Sequence, residues 1–479
     1  MKKTIIGRQD EIVILNRLLQ SREPELLAVY GRRRIGKTYL IHTFLEQYLV
    51  FSCSGQANGN TKEQLVNFTR QLNRYFPEKG TTLAPGSWQE AFYQLQERLE
   101  AIKDKKKKKV LFFDELPWLD THKSGFLSSF GYFWNMYAAN RSDLLVVICG
   151  SAASWMIHKV VNNKGGLHNR ITQRMRLLPF TLKETADYLQ YKNIKLDRYQ
   201  LLRLYMITGG VPAYLNAVEK GKSADQNIEN MCFRKDGKLT EEFNNLYAAL
   251  FNKPERHIQV IEALAKKRKG LTRSEILATA NLLTGGGITE VLNELTESGF
   301  ILKVYPYDKK EREALYRLAD EYSLFYLKFM QHQKGNEKGQ WISRMQSPAY
   351  TAWCGYAFEN VCLSHIEAIK RGLQIAGVQS VAASWVQTGT SGSNGAQIDL
   401  LIDRADQCIN ICEMKFSQSD FTIDKRYASE LANKLKVFRD NTRTRKTLFL
   451  TLITTYGVKK NTYYTNLVQS ELMMDDLFQ

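Results

Sequence analysis

In the first third of the chain, apolar residues fall in short unbroken runs separated by stretches whose apolar positions recur at helical spacing. Residues 26–30, 110–113 and 144–148 are the clearest runs. Unbroken runs suit strands covered on both faces, so the pattern predicts βα units around a parallel sheet up to about Pro179. From residue 182 to about 251 the pattern turns helical, broken at Thr208-Gly209-Gly210-Val211-Pro212. Residues 255–320 then read as three helices and a hairpin. Ile258, Ile261, Leu264 and Ala265 mark one face of the first helix, and Thr272 with Glu275 forms a capping box that opens the second. Val291, Leu292 and Leu295 mark the third, Ile288 to Ser298, which Gly299 stops. Strands over 300–305 and 314–318 follow, joined by a turn at 306–310, the outline of a winged helix. Residues 335–339, polar and glycine-bearing, predict a linker before a final α/β segment. The expected domains are 1–180, 181–252, 253–330 and 345–479.

Composition leaves this outline in place and narrows the setting. At 479 residues the chain is too long for one core, and 44% hydrophobic with 24% charged residues is ordinary for a soluble protein. No apolar run is long enough to cross a bilayer and the start lacks a signal peptide's apolar core, so a cytoplasmic protein with no membrane partner is expected. The seven cysteines form no CxxC or Cys/His cluster and suit buried apolar positions. A formal charge of +18 favours a polyanionic partner. The run from Lys103 to Lys109, six lysines against one aspartate, supplies part of it and reads as a solvated loop.

Gly31-Arg32-Arg33-Arg34-Ile35-Gly36-Lys37-Thr38 matches GxxxxGK(S/T) in full, with a strand before it and a helical pattern after it. Glycines let backbone N–H groups turn inward around phosphates, and the helix N-terminus adds a favourable dipole. Lys37 is expected to neutralise the β- and γ-phosphates of ATP, and Thr38 to ligate Mg²⁺. Phe113-Asp114-Glu115 supplies the second half: Asp114 for the metal and Glu115 to orient and deprotonate the attacking water. Ser151, after the third strand, is a candidate γ-phosphate sensor or, equally, a cap for the next helix. Arg170 is a candidate arginine finger, within or between subunits, or a plain surface arginine.

These residues, with Gly7-Arg8-Gln9-Asp10-Glu11 at the start and Thr208-Gly209-Gly210-Val211-Pro212-Ala213-Tyr214-Leu215, resemble the archaeal/bacterial ATPase family among the AAA+-like and STAND-type NTPases. The resemblance covers residues 1–330. It implies a P-loop ATPase core, a helical lid carrying the Gly209–Pro212 turn near the nucleotide, and a winged helix. The third helix of that last unit holds Glu290, Glu294 and Glu297 and no lysine or arginine, which suits packing or regulation better than reading DNA.

The final segment places Glu359 on a helix whose apolar stripe includes Trp353, Ala357 and Val361. Asp399 falls on one strand, and Glu413 and Lys415 on the next. Residues two apart on a strand share a face. Three carboxylates beside a lysine suit Mg²⁺-assisted phosphodiester hydrolysis. The order resembles the PD-(D/E)xK nuclease superfamily, with Ile398 where a proline would precede Asp399, and it implies a restriction-endonuclease-like α/β fold. For Asp399 to face Glu413, the connection between their strands must hold an odd number of unpaired residues, or a bulge. The resulting expectation is an ATPase controlling a nuclease-like domain that acts on nucleic acid, DNA favoured, with a homo-oligomer or protein partner. The alternatives are an ATP-dependent switch or scaffold and a DNA-stimulated motor or transposition helper.

Overall fold

The computed structural model describes residues 4–77, 82–104, 106–151, 155–156, 159, 169–251, 253–267, 269–282, 287–308, 313–332, 340–345, 347–389 and 395–479. The linker expected at 335–339 lies outside them. The described residues form two compact units, 1–178 and 179–479.

The first unit is a five-stranded sheet of β1 (Glu25–Tyr30), β2 (Leu49–Ser54), β3 (Lys109–Asp114), β4 (Leu144–Gly150) and β5 (Gln173–Arg176). Their order is β2-β3-β4-β1-β5 and every pairing is parallel. β3 and β4 are buried along their whole length, as their unbroken apolar runs require. One face carries Phe51, Phe68, Trp88 and Phe92, the other Leu15, Ile41 and Leu45. The end of the lysine run differs from expectation. Lys108 donates to the carbonyls of Ser21, Glu23 and Ser142, and Lys109 pairs with Asp143 at 2.9 Å. Their ammoniums fold inward because the loop ends and the carboxylate beside them would otherwise lack buried partners.

In the second unit, β6 (Leu271–Thr272), β7 (Ile301–Val304) and β8 (Leu315–Leu318) form a three-stranded antiparallel sheet beside helices Pro254–Ala265, Arg273–Thr279 and Gly287–Glu297. The Thr272–Glu275 capping box is present. A mixed sheet runs β13-β12-β11-β10-β9, from β9 (Ser380–Gln387), β10 (Ala396–Arg404), β11 (Cys408–Lys415), β12 (Thr447–Thr454) and β13 (Ser470–Met473).

Three expected domains fall within this unit, yet one hydrophobic core runs through all of them. It extends from Phe180 and Leu202 through Tyr322 and Trp341 to Trp353, Met414 and Phe478. Polar ties cross the same span. The Leu182 N–H donates to Nε2 of the buried His365 at 3.0 Å, and the Asn360 amide donates to the Leu318 carbonyl at 2.8 Å. The Gly209-Gly210 break is a packing requirement of this unit. At Gly210, φ is +67° and a Cβ would stand 2.0 Å from the Phe180 carbonyl oxygen.

Candidate functional sites

The sheet order of the first unit decides what meets at its C-terminal edge. β4 lies between β1 and β3, with Tyr30 beside Gly150 and Phe113 beside Ile148. The loop after β1, Ser151 after β4 and the pair Asp114-Glu115 at the end of β3 therefore emerge together. Gly31 leaves β1 at φ +142°, so close to the Leu177 carbonyl that a Cβ would stand 2.3 Å from its oxygen. Arg34 and Gly36 both take positive φ, and among the described residues nothing lies within 4 Å of where a Gly36 Cβ would stand. Gly36 caps the helix Lys37–Leu45, so the loop leads directly into a helix N-terminus, the end that favours an anion.

Lys37 is buried and donates to the Gly31 and Arg32 carbonyls at 2.9 and 2.8 Å. Burial holds its ammonium below the usual lysine range, against the pull of Cys149, Glu115 and Asp114. Thr38 Oγ1 donates to Asp114 Oδ2 at 2.8 Å. Glu115 sits in the left-handed region, φ 46° and ψ 49°, where a residue with a Cβ is strained by about 1–2 kcal/mol. Its carboxylate accepts from the Ser151 hydroxyl at 2.8 Å and the Ser151 N–H at 3.3 Å. Ser151 is thus joined to Glu115. Arg33 lies over the Trp118 ring, 5.9 Å from its centroid.

Arg8 is a participant that spacing did not single out. It is buried and donates to the carbonyls of Ile35 at 3.1 Å and Leu178 at 2.7 Å, clamping the phosphate loop to the strand-exit segment. Its only sequence signal was the Gly7-Arg8 pair. Arg170 is placed otherwise than a finger in the same subunit needs. It is exposed and precedes β5, whose first residue Gln173 pairs with Leu27, whereas Arg176 at the far end pairs with Tyr30. Arg170 therefore lies at the N-terminal edge of the sheet, about 15–20 Å of strand away from the loop end.

In the second unit the four residues of the final segment do meet. The β10–β11 ladder ends at Leu400 opposite Cys412, and one step further sets Asp399 opposite Glu413. The unpaired stretch between the last ladder pair, Asp403 and Ile409, is residues 404–408 and is odd in number. β10 also carries a bulge against β9 between Ile398 and Leu401, so Asp399 stands where that strand changes register. Lys415 Nζ lies 3.1 Å from Glu413, and Lys434, on the helix Lys425–Thr442, lies 2.6 Å from it. Glu359 comes from the helix Pro348–Ser364 and has Asp399 and Glu413 as nearby negative charges and Arg317 and Lys415 as nearby positive ones. Burial first, then Asp399, pushes the Glu359 carboxyl up to about 7. Burial would also raise Glu413, but Lys434 and Lys415 outweigh it and hold that carboxyl below its usual range.

Arg317, on β8, was not foreseen. It is 3% exposed and reaches Asp399 at 3.6 Å and Glu359 at 3.7 Å. Every acid of the cluster thus faces a cation of the chain itself. Among the described residues, no group of three or more His, Cys, Asp or Glu side chains is placed to hold a metal ion. As arranged, the acids do not fit the divalent ion that the nuclease resemblance implies, and no metal-assisted step is assigned to them.

Residues 5–218 match the family model described as an ATPase domain predominantly from Archaea. An uncharacterized protein of Methanocaldococcus jannaschii is 24% identical over 401 residues, 83% of each chain. An uncharacterized ATP-binding protein of the same organism is 44% identical over 41 residues, 9% of this chain and 70% of that one. Among solved structures, a Walker-type ATPase of Pyrococcus abyssi is 17% identical with a TM-score of 0.49, covering 67% of this chain and 96% of its own. The ORC2 protein of Aeropyrum pernix is 15% identical with a TM-score of 0.41, covering 68% and 94%. No described helix is long and apolar enough to cross a membrane. The family match spans both the phosphate loop and the Gly209–Pro212 turn, so residues 5–218 are similar to an ATPase domain of this predominantly archaeal type.

Proposed function

We propose that the first unit hydrolyses ATP with Mg²⁺, and that its nucleotide state governs a nucleic-acid-directed activity of the second unit. The observation that carries the ATPase reading is the Thr38–Asp114 contact at 2.8 Å beside a Glu115 carboxylate already oriented by Ser151. Thr38 and Asp114 put hard oxygen donors side by side, which fits Mg²⁺. Bound there with ATP, the ion would supply neutralisation of phosphate charge. Lys37 would exchange the Gly31 and Arg32 carbonyls for phosphate oxygens. Glu115 would hold a water by hydrogen bond and accept its proton. Arg170 has a part in this proposal only from a neighbouring copy of the chain.

Phosphate release from Mg-ATP tests the reading. Lys37→Ala is expected to lose about a hundred- to a thousand-fold in turnover, and undiminished turnover would sink it.

Asp399 set opposite Glu413, with Lys415 beside it, supports a nuclease-like site in the second unit, and the +18 charge supports a polyanionic partner, DNA before RNA. In this reading the unit at 253–330 is a winged helix used for packing, since Glu294 of its third helix pairs with the buried His257 at 2.5 Å. The assay is cleavage of DNA and RNA by wild type and Glu413→Ala, with and without ATP. Binding without cleavage would favour a switch or scaffold, and DNA-stimulated turnover with strand displacement would favour a motor.

A further inference from the structure

The acid cluster of the second unit is balanced in charge by three side chains from three elements. Glu413 is taken by Lys434 and Lys415. Glu359 and Asp399 are left to Arg317, which arrives from the β7–β8 hairpin rather than from the mixed sheet. The guanidinium lies within ion-pairing range of both acids but beyond hydrogen-bonding range. Its Nε and Nη2 are buried and find no hydrogen-bond partner among the described residues. Five fixed N–H donors are expected to dock on carboxylates in a fork when the two are built for each other. This arrangement instead leaves slack between cation and acids while keeping the positive charge in place.

The hairpin is pinned at two further points. Next to Arg317, the Leu318 carbonyl accepts from Asn360, the neighbour of Glu359. Near the hairpin tip, the Tyr307 N–H donates to the Ser384 carbonyl of β9 at 2.7 Å, opposite the stretch of β10 that carries the bulge and Asp399.

We propose that Arg317 is a resident cation standing in for a divalent ion at Glu359, Asp399 and Glu413, so that this site takes a metal only when the hairpin's guanidinium is removed or withdrawn. The inference rests on the nuclease-like reading of the cluster and deepens it by naming what holds the site closed. Oxygen ligands hold a hard cation by their uncancelled charge. With Arg317 in place that charge is already cancelled and an incoming dication is repelled. With Arg317 gone, two carboxylates on adjoining elements lose their counter-charge and attract a replacement.

The test is Mn²⁺ binding to the whole, nucleotide-free protein, followed by electron paramagnetic resonance. Arg317→Met should bind Mn²⁺ at least tenfold more tightly than wild type, and Glu413→Gln added to it should abolish the gain. Arg317→Lys keeps the charge on a shorter, more mobile stem and should show a smaller gain, which decides the matter if Arg317→Met does not fold. Equal Mn²⁺ affinity in wild type and a folded Arg317 variant overturns the proposal. A parallel cleavage assay separates it from the reading beneath it. A Mn²⁺ gain without cleavage leaves the resident cation standing and removes the nuclease. Cleavage lost in Glu413→Gln, with Mn²⁺ bound equally by wild type and Arg317→Met, does the reverse.

Discussion

The phosphate loop and the acid cluster both keep charged side chains out of water, but they meet those charges differently. At residues 31–38 a helix N-terminus follows positive-φ positions at Arg34 and Gly36, and the buried Lys37 turns back on carbonyls of its own loop. In the second unit Glu359, Asp399 and Glu413 each face a basic side chain of the same chain. A cation held by neutral carbonyls can exchange them for a ligand, whereas an acid paired with a basic side chain of the same chain reads as structure until that partner is removed. Removing a charged partner should therefore cost the first site mainly turnover, and the second stability as well.

The largest expected effect is at Glu115. Glu115→Gln should lower ATP turnover by about 10²–10⁴-fold while leaving nucleotide affinity and unfolding midpoint nearly unchanged, since only the proton acceptor is lost. Phosphate release and nucleotide titration on one preparation check this, and a parallel fall in stability would break the contrast.

Next is the acid response of the second unit, where burial pushes the His365 imidazole down to about 4 from its ordinary 6.5. Its Nε2 accepts from Leu182, so the folded state holds the neutral ring. Between those two values the unfolded chain takes up a proton that the folded chain does not. Stability is therefore lost as pH falls from about 6.5 to about 4, by about 3 kcal/mol in all. Urea unfolding across that range should show a component that disappears in His365→Gln.

Lys434→Met should cost about 2 kcal/mol by leaving Glu413 to Lys415 alone, somewhat less than for a fully buried pair because Lys434 keeps partial exposure. Thr38→Val, the matching removal at the loop, should cost under about 1 kcal/mol yet still impair turnover. Calorimetric melting of both variants compares them directly. Smallest is Ser151→Ala, expected to slow turnover about tenfold by releasing Glu115, a loss of about 1.4 kcal/mol in the barrier, with ATP affinity retained. A large loss of affinity instead would return Ser151 to the role of a phosphate contact.

The loop, its strand and helix, and Asp114-Glu115 were legible because a contiguous motif carries its own geometry. The condition for Asp399 to face Glu413, an odd connection or a bulge, was legible because strand residues alternate by rule, but whether it was met was not. Arg317 was not legible. It joins Glu359 and Asp399 across 42 and 82 positions of sequence, and nothing in the spacing of a hairpin announces what its buried side chain will meet. Charge runs misled for a related reason. Lys108 and Lys109 look solvated until the carbonyls of Ser21 and Ser142 and the Asp143 carboxylate are seen to converge on them. Arg170 could not be placed because a sequence gives the order of residues but not which end of a sheet they occupy. The three expected domains after residue 180 were drawn from breaks in pattern, and breaks do not reveal that Trp341, Tyr350 and Trp353 stitch the segments into one core.

The bond from Tyr307 to Ser384 has a practical consequence for anyone dissecting the chain. β9 is the last strand of its sheet, and an uncovered edge strand is a template for pairing with another molecule. Pro306 and Tyr307 occupy part of that edge. An excised fragment beginning near residue 345 would keep every residue of the mixed sheet and still present a bare strand, as well as the apolar surface that met Phe180 and Tyr322. Such a fragment should self-associate, and its behaviour in a cleavage assay would describe the aggregate rather than the protein.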